Sequence, residues 1–155
     1  METKTDLREG TVEAIQELIA TNFDSAKQLE SCSEDTEDER FEKLFQHVAD
    51  ARRTHATELR GYVRWNGEEP EDTGSFFGSC RNAWINVRNA LSGDDRVTVL
   101  KQAEAAEDVI KARYEELLKE TSGSAMNDVL LRQYREVKKH HDMIRDLRDA
   151  EIAAA

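Results

Sequence analysis

One proline and seven glycines in 155 residues leave few chain breakers, and that scarcity is the profile of an all-helical chain. Two cysteines, Cys32 and Cys80, lie far apart without metal-ligand spacing and read as free thiols. No apolar run approaches the ~18 residues needed to span a bilayer. Positive charge is also short: 22 Lys and Arg face 33 Asp and Glu, a net charge of −11 that repels phosphate backbones and anionic lipid. Nucleic-acid and membrane-surface binding are therefore excluded as main roles. The first ten residues are charged and carry no apolar core, so no signal peptide is visible and the expected compartment is the cytoplasm. There is no Gly-rich phosphate loop, no Ser/His/Asp order and no Cys/His pairing to supply a nucleophile. The acidic run 34–39 lacks the glycine of an EF-hand calcium loop.

What the chain does have is helix formers, with Ala, Glu, Leu, Lys and Arg making up nearly half of it. Apolar or small residues step by three and four through Val12, Ile15, Ile19, Ala26 and Leu29, with Asn22 the one polar interruption, which predicts a helix over 11–31. Thr36 followed by Glu39 has capping-box spacing, so a second helix is expected over 37–66, beginning near Glu37. Its seam reads Phe41, Leu44, Val48, Ala51, His55, Glu58, Tyr62, Trp65, and Gly67 stops it. Ser75 then caps a shorter helix over 76–92, with the stripe Phe77, Cys80, Trp84, Val87, Leu91. Phe76, Phe77, Trp84 and Trp65 are expected in the core beneath this segment. A helix over 95–121 carries Leu100, Ala103, Glu107, Ile110, Tyr114 and Leu117 and ends before Gly123. Ser124 opens the last, over 125–149, with Met126, Leu130, Gln133, Val137, His140 or His141, Ile144 and Leu147 facing inward and the terminal alanines frayed.

Short links after the first helix and before the last make two antiparallel hairpins. The 76–92 helix, about 24 Å long, carries the chain back along the bundle between them. The fold expected is one all-α domain over 1–155, a ferritin-like four-helix bundle with one long crossover that contains an extra short helix.

Scattered residues carry a more specific resemblance. They are Asn22 and Asp24, Arg52 with Glu58 and Leu59, and Gly67 with Pro70, Gly74 and Ser75. Trp84 and Ile85, Glu104 with Glu107 and Asp108, Tyr114, and His141 with Asp142 complete the set. Over residues 12–149 the chain resembles the bacterial ferritin-like four-helix-bundle family of unknown function. The resemblance implies a ferritin-like bundle in a soluble bacterial protein with no settled activity. This chain departs from the family pattern at Ala106, where glycine is usual, and at His55, where an aromatic is usual.

Ferritin-like bundles are best known for paired iron or manganese ions held by a Glu from each of two helices and a Glu-x-x-His from each of the others. The residues three before His47, His55, His140 and His141 are Leu44, Arg52, Val137 and Lys138, so Glu-x-x-His is absent. Counting helical rise from the end where the second helix starts brings Asn22, Arg52, Glu107 and His141 to one level. These four are expected to form a buried hydrogen-bonded network in place of a di-metal site, because a guanidinium beside the carboxylate repels a divalent cation. The alternative is that Glu58, Glu104, Glu107, His55 and His141 hold iron or manganese.

The function expected from these residues is that of a non-catalytic structural or interaction protein, associating with itself or with another protein and needing no cofactor. A di-iron or di-manganese carboxylate protein of the storage or oxidase type is the competing reading, and its support is the fold resemblance.

Overall fold

The computed structural model describes residues 1–71 and 96–154. Four helices of nearly equal length fill them: α1 (Glu9–Asp35), α2 (Glu39–Trp65), α3 (Arg96–Glu120) and α4 (Asn127–Ala154). The helix expected over 76–92, with its Ser75 cap and Trp84, lies outside the described residues. The only β-type pairing among those described is the isolated bridge between Thr3 and Asp6.

Helix directions follow from which residues meet. Between α2 and α3, Asp38 meets Arg96 and Arg52 meets Glu107, so the numbers rise together and the two helices run parallel. Between α3 and α4, Arg96 meets Glu151, Glu104 meets Arg148, Asp108 meets His141 and Tyr114 meets Gln133. One number falls as the other rises, so these two are antiparallel. Parallel second and third long helices require a crossover that returns the chain along the bundle, as the ferritin-like connectivity demands.

Several boundaries differ from those expected, each for a local reason. The start of α2 is set by Asp38, not by a Thr36–Glu39 capping box: its Oδ1 accepts from Arg40 N at 2.8 Å and Phe41 N at 3.4 Å. A carboxylate is the better acceptor at the positive end of a helix, and Thr36 is left to accept from Asp38 N at 3.2 Å. The end of α4 is helical through Ala154, because Arg148 and Glu151 pair with Glu104 and Arg96 and hold the last turns against α3. Gly67 and Gly123, at φ of 77° and 78°, turn the chain out of α2 and away from α3 in a conformation that only glycine adopts freely.

The buried face of α2 is turned by about one residue from the expected seam. Phe41, Phe45, Val48, Ala49, Arg52, His55, Ala56, Leu59 and Val63 face inward. Glu58 and Tyr62 sit at the margin and Trp65 is 63% exposed, its ring edge-on to Tyr62, so Trp65 is not a core residue. Steps of three and four fit two adjacent stripes equally well, and the one that won buries a charged Arg52 because α3 supplies its partner.

The apolar core is split in two. Towards the α1–α2 turn, Leu29, Phe41, Phe45, Val48, Val99, Leu100, Ala103 and Ile144 pack together. At the other end Ile15, Leu18, Ile19, Leu59, Val63, Ile110, Tyr114, Leu117, Leu130 and Val137 do the same. On every helix buried polar residues stand between the two clusters: Asn22 and Ser25 on α1, Arg52 and His55 on α2, Glu107 on α3, His140 and His141 on α4. Cys32, at the edge of the first cluster, is a free thiol whose pKa burial pushes up to about 12, so it is unreactive at neutral pH.

Candidate polar layer and metal-ligand cluster

At the centre of the layer Arg52 Nη2 donates to Glu107 Oε2, and neither side chain has exposed surface. Burial pushes the Glu107 carboxyl up from its ordinary range, and the Arg52 guanidinium opposes that rise. Arg52 Nη1 lies 3.4 Å from His140 Nδ1, and the His47 ring stands edge-on to His140 at 5.6 Å. Burial, reinforced by the charge on Arg52, brings the His140 imidazole down to about 4, so it is neutral at pH 7. Glu107 Oε1 and Arg52 Nε are buried without a hydrogen-bond partner.

A second chain of bonds runs from the interior to the surface. Asn22 Nδ2 donates to the Tyr114 hydroxyl at 2.9 Å, and that hydroxyl donates to Gln133 Oε1 at 2.8 Å. Gln133 Nε2 donates to Glu58 Oε1 at 2.7 Å, and Glu58 Oε2 accepts from Arg132 at 2.6 Å. Beside it, His55 Nε2 is 3.3 Å from Glu136 Oε2 at the wall of a cleft of about 420 Å³, also lined by His47, Glu58 and Arg132. Burial first, then Arg52, lowers the His55 pKa.

The third group sits where α3 and α4 meet. Glu104, Asp108 and His141 each offer a donor atom within 4.8 Å of the others, the one such group of metal-ligand type among the described residues. Asp108 Oδ1 is 2.5 Å from His141 Nε2, and Asp142 Oδ1 is 3.1 Å from His141 Nδ1. Glu104 Oε2 accepts from Arg148 Nη1. Desolvation raises the Glu104 pKa while Arg148 holds it down.

Of the four residues expected in one network, Arg52 and Glu107 are bonded to each other. Asn22 is bonded instead to the Tyr114 phenol, which leans towards the start of α3 as long helical side chains do. His141 turns to Asp108 and leaves His140 as the histidine beside Arg52, because adjacent helical residues diverge by about 100°. The five residues considered as metal ligands are divided among four sets of partners. Glu58 is held by Gln133 and Arg132, His55 by Glu136 and Glu107 by Arg52, which leaves Glu104 and His141 together with Asp108. Asp108 was missed, and His140 stood in the sequence only as the alternative to His141. The i,i+4 spacing of Glu104 and Asp108 was the available signal for the first; nothing in the sequence separates His140 from His141.

Comparison with known proteins agrees with this architecture. A Dps1 mutant from Mycobacterium smegmatis superimposes with a TM-score of 0.73 over 88% of this chain and 93% of that one, at 12% sequence identity, a likeness of fold alone. No curated protein matches the chain. The family described as a domain of unknown function, DUF2383, matches residues 10–120, and the chain belongs to that family.

Proposed function

We propose that this protein is a non-catalytic structural or interaction bundle of the cytoplasm, acting by association with itself or with another protein, in which a buried charge pair takes the place of an interior di-metal centre. The observation that supports this reading is the Arg52 guanidinium bonded to Glu107 with no exposed surface on either side. A pair of divalent cations needs bridging carboxylates from several helices, and here the central one is neutralised by a fixed positive charge that repels such ions. Glu58 and His55 are likewise engaged by neighbours. The donors present do not fit the two-ion arrangement.

The second reading, a di-iron or di-manganese carboxylate protein, is favoured by one observation, the convergence of Glu104, Asp108 and His141. Anaerobic titration with ferrous iron followed by oxygen separates the two. The structural reading expects oxidation no faster than in buffer and no binding of two ions per chain. Saturable, catalysed oxidation at two irons per chain overturns it. Light scattering across a range of concentrations tests association, with species larger than the 17.7 kDa chain as the expected result.

A further inference from the structure

The cluster at the α3–α4 edge differs from the interior layer in being reachable. Its ligands come from two adjacent helices, not from all four, and the Asp108 side chain is 62% exposed while those of Glu104 and His141 are close to 11%. The histidine ring carries the chemical tension. Carboxylate oxygens approach both its nitrogens, Asp142 at Nδ1 and Asp108 at Nε2. A neutral imidazole has one N–H, so when Nδ1–H donates to Asp142, Nε2 presents a lone pair to another acceptor. A second N–H on the ring or a metal ion on Nε2 removes that conflict. A metal ion on Nε2 with a carboxylate on the opposite ring nitrogen is the usual outer-sphere arrangement of ligating histidines.

A second observation points the same way. Glu107, on the same face of α3 between Glu104 and Asp108, keeps Oε1 fully buried with no hydrogen-bond partner, and its carboxyl feels the charges of both His141 and Asp108. Arg52 neutralises Glu107 through Oε2, and Oε1 is left an acceptor without a donor while Asp108 adds negative charge near it. Arg148 donates to Glu104, but it is shared with Asp149 at 2.8 Å and is 28% exposed, so the pair is a partly solvated one.

We propose that Glu104, Asp108 and His141 bind one divalent first-row cation of the zinc, iron or manganese class, with Asp142 orienting the histidine and Arg148 competing with the ion for Glu104. One imidazole and two carboxylates suit these borderline ions, and solvent completes the coordination on the open Asp108 side. A single ion at the bundle edge is independent of the interior charge pair, so either reading can fail without the other.

Calorimetric titration of the chelator-dialysed full-length protein with zinc chloride tests this, with manganese as a second probe. One zinc per chain is expected. Asp108→Asn, a change at an exposed side chain that leaves the melting curve in place, is expected to weaken binding at least about tenfold, and His141→Ala more. Asp142→Asn is expected to weaken it by about tenfold through the ring orientation alone. Arg148→Gln is expected to tighten binding by up to about fivefold, the loss of one partly exposed ion-pair competitor. No binding at about 1 mM zinc overturns the site. Binding unchanged in both Asp108→Asn and His141→Ala also overturns it, by moving the ion to the His47 and His55 cleft. Unchanged or weaker binding in Arg148→Gln overturns the competition.

Discussion

Replacing Glu107 by alanine removes the carboxylate that neutralises a guanidinium with no exposed surface. In the remaining structure Arg52 keeps only the 3.4 Å approach to neutral His140, and its Nε already lacks a partner. Breaking a buried pair from one side typically costs about 3 to 5 kcal/mol, because the surviving charge is stranded. At a urea slope of about 2 kcal/mol per molar, the midpoint falls by roughly 2 M. Glu107→Gln retains shape and one acceptor for Nη2, so its loss is expected nearer about 1.5 to 3 kcal/mol. The decisive variant removes both charges. Arg52→Met with Glu107→Leu fills the same layer with apolar atoms and is expected to be neutral or more stable than the parent by about 1 to 4 kcal/mol. Urea melts of the four proteins, read by circular dichroism, compare these outcomes directly. Losses below about 1 kcal/mol in both single variants would refute the stranded-charge argument. So would a double variant as unstable as Glu107→Ala, since the missing volume and not the charge would then be responsible.

Three further outcomes follow from the same geometry. His140 titrates near pH 4 when folded against 6.5 in the unfolded chain, so between these values the unfolded state binds more protons; its contribution is fully present above pH 6.5 and is lost as pH falls to about 4. Melts at pH 7 and pH 4.5 should differ by about 2 kcal/mol from this residue, discounted for partial hydration, and His140→Gln should shrink that difference; an equal pH dependence in the variant contradicts the assignment. Tyr114→Phe leaves Asn22 and Gln133 each short of a buried partner and is expected to cost about 1 to 3 kcal/mol by chemical denaturation, with an unchanged midpoint as the contrary result. Gly123→Ala meets no atom within 4 Å but must hold φ near +78°, so a loss of about 1 to 2 kcal/mol is expected from backbone conformation alone, and a neutral effect would show that the α3–α4 turn relaxes.

Helix content, the turns at Gly67 and Gly123 and the inward faces of α1, α3 and α4 were all legible along the chain, because each depends on neighbours three or four residues away. The six seam residues expected on the first helix and the six on the helix after the crossover are all buried. The pairing of Arg52 with Glu107 lies where a constant helical rise puts two residues at the same depth. The α2 face was the exception. A charged residue reads as solvent-exposed until its partner is known, and the partner of Arg52 lies 55 positions away on another helix.

Tertiary structure alone decided how the polar residues divide among partners. Side-chain reach and helix rotation, invisible to a count of positions, gave Asn22 to Tyr114, His140 to Arg52 and His141 to Asp108. The same two factors scattered the five expected ligands into separate groups and brought Asp108 into the one cluster of metal-ligand type among the described residues. Sequence determined that this bundle would carry polar residues across its middle; which of them meet is a property of how four rods are rotated about their axes, and each rotation is set by the packing of all the others.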